Sequence, residues 1–235
     1  MDAAIVTVGD ELLAGDIDNT NATWLAEQLT DRGVSVRHIA TVPDEPAPIG
    51  RVVERERTAR DEVIVTGGLG GTPDDVTMAG IARAFDSTLA VSETALEDVR
   101  ATLERYHQER PDLELALDLE AEARIPEGST PLLNDAGISP GCTIENVVAL
   151  PGIPQEMRAM FDQVADRYTG DVFSRTVHTD RPESNIAPLL QRVGEEFDVS
   201  VGCYPDVDGG PKRIRVRAAD PDRLDDATAF LADRL

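Results

Sequence analysis

One stretch of this chain joins an anion-binding backbone to carboxylates: Gly67-Gly68-Leu69-Gly70-Gly71-Thr72-Pro73-Asp74-Asp75-Val76-Thr77. Glycine tolerates positive φ and lets a ligand approach the backbone closely. A helix that opens after such a turn offers free N–H groups to phosphate or another anion. Two carboxylates in the same turn oppose an anion unless a metal lies between them or one of them works on a proton or a water. The chemistry implied is a reaction at a phosphate-containing ligand. Two common phosphate loops are excluded. A Walker loop needs Gly-Lys-Ser/Thr, and the only lysine is Lys212. A G-x-G-x-x-G fingerprint started at Gly68 meets Pro73 where its third glycine belongs.

Such a loop needs elements to hold it. The apolar run Val63 to Val65 reads as a buried strand feeding into the glycines. Three other strands end in unusual polar or Gly/Pro turns. Ala3 to Val8 runs into Gly9-Asp10-Glu11 and on to Asn19-Thr20-Asn21, where Asn19 or Thr20 can cap a helix from Ala22 to Arg32. Trp24, Leu25, Gln28 and Leu29 share one face of that helix. Val34 to Val42 runs into Pro43-Asp44-Glu45 ahead of a helix from Ile49 to Arg60, and Val147 to Leu150 runs into Pro151-Gly152-Ile153-Pro154 ahead of a helix from Gln155 to Tyr168. In an open parallel sheet the strand C-termini share one edge, and ligands bind there. Strands and helices alternate through residue 168, which predicts right-handed βαβ units in a three-layer α/β fold.

Taken together, Gly9-Asp10-Glu11, Asn19-Thr20-Asn21, Gly67-Gly68-Leu69-Gly70 with Asp74-Asp75-Val76-Thr77, and Leu150-Pro151-Gly152-Ile153-Pro154 resemble the MoaB/Mog molybdopterin-binding fold in its CinA-like branch. The resemblance covers roughly residues 2 to 170. It implies a parallel sheet with a mixed edge. It also implies one of two activities: adenylylation of molybdopterin, or hydrolysis of an ADP-ribose-type pyrophosphate. Both are attacks at a phosphoanhydride and call for a divalent metal (Mg, Mn or Co) and an oriented nucleophile. Asp44 and Asp75 are the expected catalytic residues, with Asp10, Asp74 and Asp75 as metal ligands. Gly9, Asp10, Glu11, Asn21, Gly67, Gly68, Gly70, Gly71, Thr77, Pro151 and Gly152 are expected to bind the ligand, with helix capping an equal alternative for Thr77. The family's oligomers imply a homo-oligomer. Two departures stand out. Gly71 occupies a position where the branch usually has proline, and Leu115 to Arg124 is acidic where it usually places an asparagine and a basic residue.

The tail, with Val201-Gly202-Cys203-Tyr204-Pro205 and a strand to Ala218, resembles the small subdomain that follows this fold in CinA-type chains. A strand (Val172 to His178), a helix (Glu183 to Phe197), strands Val199 to Tyr204 and Arg213 to Ala218, and a helix to Leu235 predict a β-α-β-β-α module. Asp206 to Gly210 is the expected hairpin turn, with too few ligands for calcium. The expected domains are residues 1–170 and 171–235. The further amidase domain of many CinA-type chains is not expected, since the sequence stops at Leu235.

The chain has 45 Asp and Glu against 22 Lys and Arg, a formal net charge of −23. All the basic residues but Lys212 are arginine. This balance argues against nucleic acid, whose backbone needs a basic face. It suits a halophile's cytoplasmic protein, whose self-repulsion concentrated salt screens. No run of about 18 apolar residues occurs, so no membrane span is expected, and no secretory signal pattern opens the chain. Cys142 and Cys203 read as reduced thiols, the first buried and inert. His38, His107 and His178 lack ligand spacing and read as structural, His107 sharing an α-helical face with Leu103 and Tyr106. The leading expectation is metal-dependent cleavage of an ADP-ribose-type pyrophosphate. The alternatives are molybdopterin adenylylation and a non-catalytic pterin- or nucleotide-binding protein.

Overall fold

The computed structural model describes residues 1–109, 117–206 and 209–235. The chain divides into two compact units: Met1–Glu27 with Val36–Tyr168, and Gln28–Ser35 with Thr169–Leu235.

The first unit is built on a six-stranded sheet. Its strands are β1 (Asp2–Val8), β2 (Ser35–Val42), β3 (Glu62–Thr66), β6 (Thr130–Leu132), β7 (Gly141–Ile144) and β8 (Val147–Leu150), in the order β2-β1-β3-β8-β7-β6. β1 pairs parallel with β3, and β3 parallel with β8. These three are almost wholly buried, which is why they read as continuous apolar runs and not as alternating ones. Helices α2 (Thr20–Asp31), α3 (Pro46–Ala59), α4 (Thr77–Ala84), α5 (Glu93–Glu109) and α7 (Pro154–Val164) accompany the sheet. Asn19 Oδ1 accepts from the Ala22 N–H at 3.1 Å and caps α2. Pro46 and Pro154 open α3 and α7, where a missing N–H costs nothing.

Strict alternation of strand and helix fails at two places. The turn after β1 folds as a short helix, α1 (Asp10–Ala14), closed by Gly15 in the left-handed conformation. Between α4 and β8 the chain makes the small pair β4 (Leu89–Val91) and β5 (Arg124–Pro126), a four-residue helix α6 (Leu119–Glu122), and then the antiparallel pair β6 and β7, of which β7 runs antiparallel beside β8. These strands are three or four residues long, too short for periodicity to register. His107 is exposed near the end of α5, whose buried face is Ala95, Leu96, Val99 and Thr102. Leu115 and Ala116 of the acidic stretch, and Val207 and Asp208 of the expected hairpin turn, lie outside the described residues.

The second unit has a three-stranded antiparallel sheet, β10 (Ser200–Tyr204), β11 (Lys212–Ala218) and β9 (Phe173–Thr179), with helices α8 (Glu183–Phe197) and α9 (Pro221–Ala232). Ile214, Val216 and Ala218 of β11 enter its core with Ile186, Val193, Leu224, Ala227 and Leu231. The alternate residues Arg213, Arg215 and Arg217 are not buried. Among the described residues, no helix is long and apolar enough to cross a membrane.

Net charge dominates the surface. Raising KCl from 0.1 to 2 M should raise the melting temperature, because the Debye length falls from about 10 Å to below 3 Å and screens like-charge repulsion. Each kcal/mol recovered is worth about 2–4 °C in a chain of this size. A melting temperature that is flat or falls across a KCl series rejects the salt-adapted reading.

Candidate functional site

Four strand ends meet at one edge of the sheet. The Gly9 N–H donates to the Val42 carbonyl at 3.2 Å, joining the ends of β1 and β2, and the Gly67 N–H donates to the Leu150 carbonyl at 3.1 Å, joining β3 and β8. Side chains add further ties. The Thr66 hydroxyl donates to the Pro151 carbonyl at 2.7 Å, and Asn21 Nδ2 donates to the Gly152 carbonyl at 2.7 Å. Asn19 Nδ2 reaches the Thr7 hydroxyl at 2.9 Å, which lies 3.0 Å from that of Thr41.

Gly67 turns the chain out of β3 at φ +103°, and a Cβ there would run into the Val8 carbonyl oxygen. Gly67→Ala is therefore expected to cost at least about 2 kcal/mol and to lower the melting temperature by about 4–8 °C. A scanning calorimetry trace superimposable on wild type would show that the turn relaxes freely.

The edge encloses a cleft of about 250 Å³. It brings together nine of the expected residues: Gly9, Glu11, Asn21, Asp44, Gly67, Gly68, Asp74, Asp75 and Gly152. Gly70 and Pro151 line a second cleft, which shares Gly68, Asp75 and Gly152 with the first. Asp10, Gly71 and Thr77 line neither. Asp10 contributes its backbone instead, its N–H donating to Asp44 Oδ2 at 2.8 Å. Gly71 faces Glu122, whose carboxylate occupies the place a Cβ would need.

Thr77 does not cap its helix: the N-cap of α4 is Val76. The buried Thr77 hydroxyl has no hydrogen-bond partner among the described residues, and neither has Asn21 Oδ1. A Cβ on Gly68 would come within 2.6 Å of the Thr77 hydroxyl and 3.5 Å of Asp44 Oδ1. Orphaned buried polar atoms are costly unless a ligand or water satisfies them. Asn21 lines the cleft, so its unpartnered oxygen marks a place there for a polar ligand, whereas Thr77 is buried behind the Gly68 turn.

The carboxylates differ in environment. Burial raises the Asp44 pKa, with Asp10, Glu11 and Asp74 adding repulsion and the Asp10 N–H opposing both. The fully exposed Asp74 is shifted the other way, chiefly by the Thr72 hydroxyl that donates to it at 2.6 Å. Carboxylates pushed apart in this way can divide the labour between a base and an ionised ligand. Asp75 Oδ2 accepts from the Thr72 N–H at 3.0 Å and shares the single Thr72 hydroxyl proton with Asp74, so it also ties its own loop. Glu122 is raised by burial, opposed by a hydrogen bond from Ser139. Cys142 is fully buried in β7, its thiol pushed up to about 12 by burial.

Among the described residues, no group of three or more His, Cys, Asp or Glu is placed to hold a metal by itself. The cleft's charged donors are nevertheless all hard carboxylate oxygens, namely Glu11, Asp18, Asp44, Asp74 and Asp75. This set fits a cation of the Mg²⁺ type, which keeps waters and binds through one or two carboxylates plus substrate phosphates. Asp74 and Asp75 are the residues that would hold it.

Comparison with known proteins fixes the family. Residues 4–169 match the model of a family described as a probable molybdopterin binding domain. The chain belongs to that family. Residues 171–235, beyond the molybdopterin-binding domain, are similar to the middle domain of FAD synthase. A protein of Pyrococcus furiosus is 36% identical over 246 residues, covering 100% of this chain and 97% of its own. One of Archaeoglobus fulgidus is 38% identical over 210 residues, covering 87% and 86%. Among solved structures, the protein CinA of unknown function from Thermoplasma acidophilum is 32% identical, with a TM-score of 0.62, covering 71% of this chain and 97% of that one. The molybdopterin-binding domain here is thus CinA-like.

Sequence reasoning missed Thr7, Thr66, Asp18 and Glu122. Thr7 and Thr66 left a usable signal, since each is a polar residue near the end of an otherwise buried strand. Glu122 left none, because its approach to Gly71 is tertiary.

Proposed function

We propose that this chain hydrolyses the pyrophosphate of an ADP-ribose-type dinucleotide with the help of a divalent metal. One observation carries the reading. Asp44, Asp74 and Asp75 line a single cleft with the Gly67–Gly68 turn, and among the described residues that line it there is no Lys, Arg or His to neutralise a phosphate. A pyrophosphate enters such a cleft together with a cation, which supplies charge neutralisation. The chain's own groups do the rest. Backbone N–H groups of the glycine loop beyond Gly67, whose own N–H is given to Leu150, orient the phosphates. Asp44, kept basic by burial and by its neighbouring carboxylates, takes a proton from water. The water oxygen bonds to one phosphorus, and the bridging P–O bond breaks. The bridging oxygen leaves on the other phosphate, giving AMP and ribose 5-phosphate.

The description of the matched family favours a second ligand, a pterin in the same cleft. The test is purified protein in concentrated potassium salt with Mg²⁺, Mn²⁺ or Co²⁺ and ADP-ribose, AMP release being followed by chromatography. Metal-dependent AMP that disappears in Asp75→Ala supports the proposal. No AMP with any of the three metals, from protein with a native melting transition, overturns it in favour of the pterin.

A further inference from the structure

Beside the acidic cleft, and sharing Asp18, Asn19 and Thr20 with it, runs an open groove of about 570 Å³. Its other lining residues are Thr23, Trp24, Glu27 and Arg158. Trp24 lies one turn beyond Thr20 on α2, and Arg158 one turn beyond Pro154 on α7. The half-buried indole is held edge-on against Phe161, with ring centroids 5.3 Å apart and planes at 84°. Phe161 in turn stacks on the buried Tyr168 at 5.4 Å. The indole is therefore backed by Phe161, which is itself backed by Tyr168. The Arg158 guanidinium carbon stands 5.4 Å from the indole centroid. Arg158 is exposed and has no ion pair among the described residues, although Asp18 and Glu27 line the same groove. Among the described residues it is the only cation lining the acidic cleft or either of the two clefts described beside it.

An aromatic side chain backed by Phe161, a guanidinium with no ion pair among the described residues and carboxylate acceptors make a platform for a flat heterocycle whose amino or ring N–H groups need acceptors. We infer that Trp24 and Arg158 dock the aromatic base of the ligand whose phosphates occupy the neighbouring cleft. The inference rests on the proposed function for the position of the phosphates but not for their cleavage. The base is a purine or a pterin. Compact ligands such as inorganic pyrophosphate or ribose 5-phosphate make no use of the platform.

Trp24 is the only tryptophan of the chain, so fluorescence excited selectively in the indole reports this groove alone. With Mg²⁺ present, AMP is expected to quench the emission saturably, after inner-filter correction, whereas ribose 5-phosphate is not. Quenching by neopterin but not by AMP keeps the platform, assigns it to the pterin and removes ADP-ribose as the substrate. Calorimetric titration of variants completes the test. Trp24→Leu and Arg158→Ala are each expected to weaken AMP binding about tenfold or more and to leave ribose 5-phosphate binding unchanged. Arg158→Ala serves if Trp24→Leu fails to fold, because its side chain is exposed. No quenching by AMP or neopterin, or equal weakening of AMP and ribose 5-phosphate in Arg158→Ala, overturns the inference. Quenching without turnover leaves the platform standing and removes only the hydrolysis; turnover without quenching does the reverse.

Discussion

Asp44→Asn is expected to lower the rate of ADP-ribose cleavage by about 10²–10⁴-fold, the usual contribution of a positioned general base, while raising the melting temperature at neutral pH. The two effects share one cause. Burial and the carboxylates of Asp10, Glu11 and Asp74 hold the Asp44 pKa above its ordinary 3.8. Folding therefore favours the protonated form. Between 3.8 and the raised value the folded chain binds more protons than the unfolded one, so stability is lost as pH rises through that window. At neutral pH the ionised carboxylate is a standing cost that asparagine removes. The amide oxygen can still accept from the Asp10 N–H, which keeps the strand-end turns in place. Steady-state kinetics and calorimetry on the same preparation check both arms. Unchanged kcat takes Asp44 out of the chemistry. A lower melting temperature means that the carboxylate is stabilised by its surroundings, contrary to the geometry. The wild-type rate should also fall on the acid side with an apparent pKa above that of an ordinary aspartate.

Removal of divalent cations has the second large effect. In EDTA the affinity for ADP-ribose should fall at least about 100-fold, since a unit charge pair near 4 Å is worth about 4 kcal/mol in a surface-like dielectric. The sign follows from the lining: among the described residues, Glu11, Asp18, Asp44, Asp74 and Asp75 face the cleft with no opposing side-chain cation. Adenosine, which carries no phosphate, should bind equally with and without EDTA. Calorimetric titration of both ligands in both buffers separates the charge effect from any loss of folding. ADP-ribose binding that is as tight in EDTA as in Mg²⁺ would discard the metal and favour a ligand held by neutral contacts.

The strands that carry the site were legible because of burial. β1, β3 and β8 are enclosed on both faces, so apart from Thr7 and the terminal Asp2, Glu62 and Thr66 their residues are apolar, and they stop abruptly at the turns. The β6–β7 hairpin was not legible. Three or four residues, with Pro131 in β6 and Gly141 in β7, carry neither a period nor a propensity that outweighs their breakers. Helix α1 was hidden by Gly9 and Gly15, which punctuate it so closely that the segment reads as a turn. In the site, the carboxylates were visible from their place after each strand. Their differences were not, because the shift of Asp44 comes chiefly from burial and then from residues 10, 11 and 74, all brought about by the fold. Thr77 showed as a residue able to cap a helix, yet its hydroxyl is left without a partner beside Gly68. No local pattern reports that.

The stitches between Thr66 and Pro151, and between Asn21 and Gly152, bear on what a motif can diagnose. Each joins one sequence signature of this fold to another, through a side chain that supports backbone. A descendant that stopped turning over its substrate would still need them to keep the sheet edge closed, and would still look like its working relatives when scanned. Asn21 and Thr66 are therefore evidence of ancestry and architecture. Evidence of a living reaction has to come from atoms the scaffold does not use, and Asp44 Oδ1 is the first to interrogate.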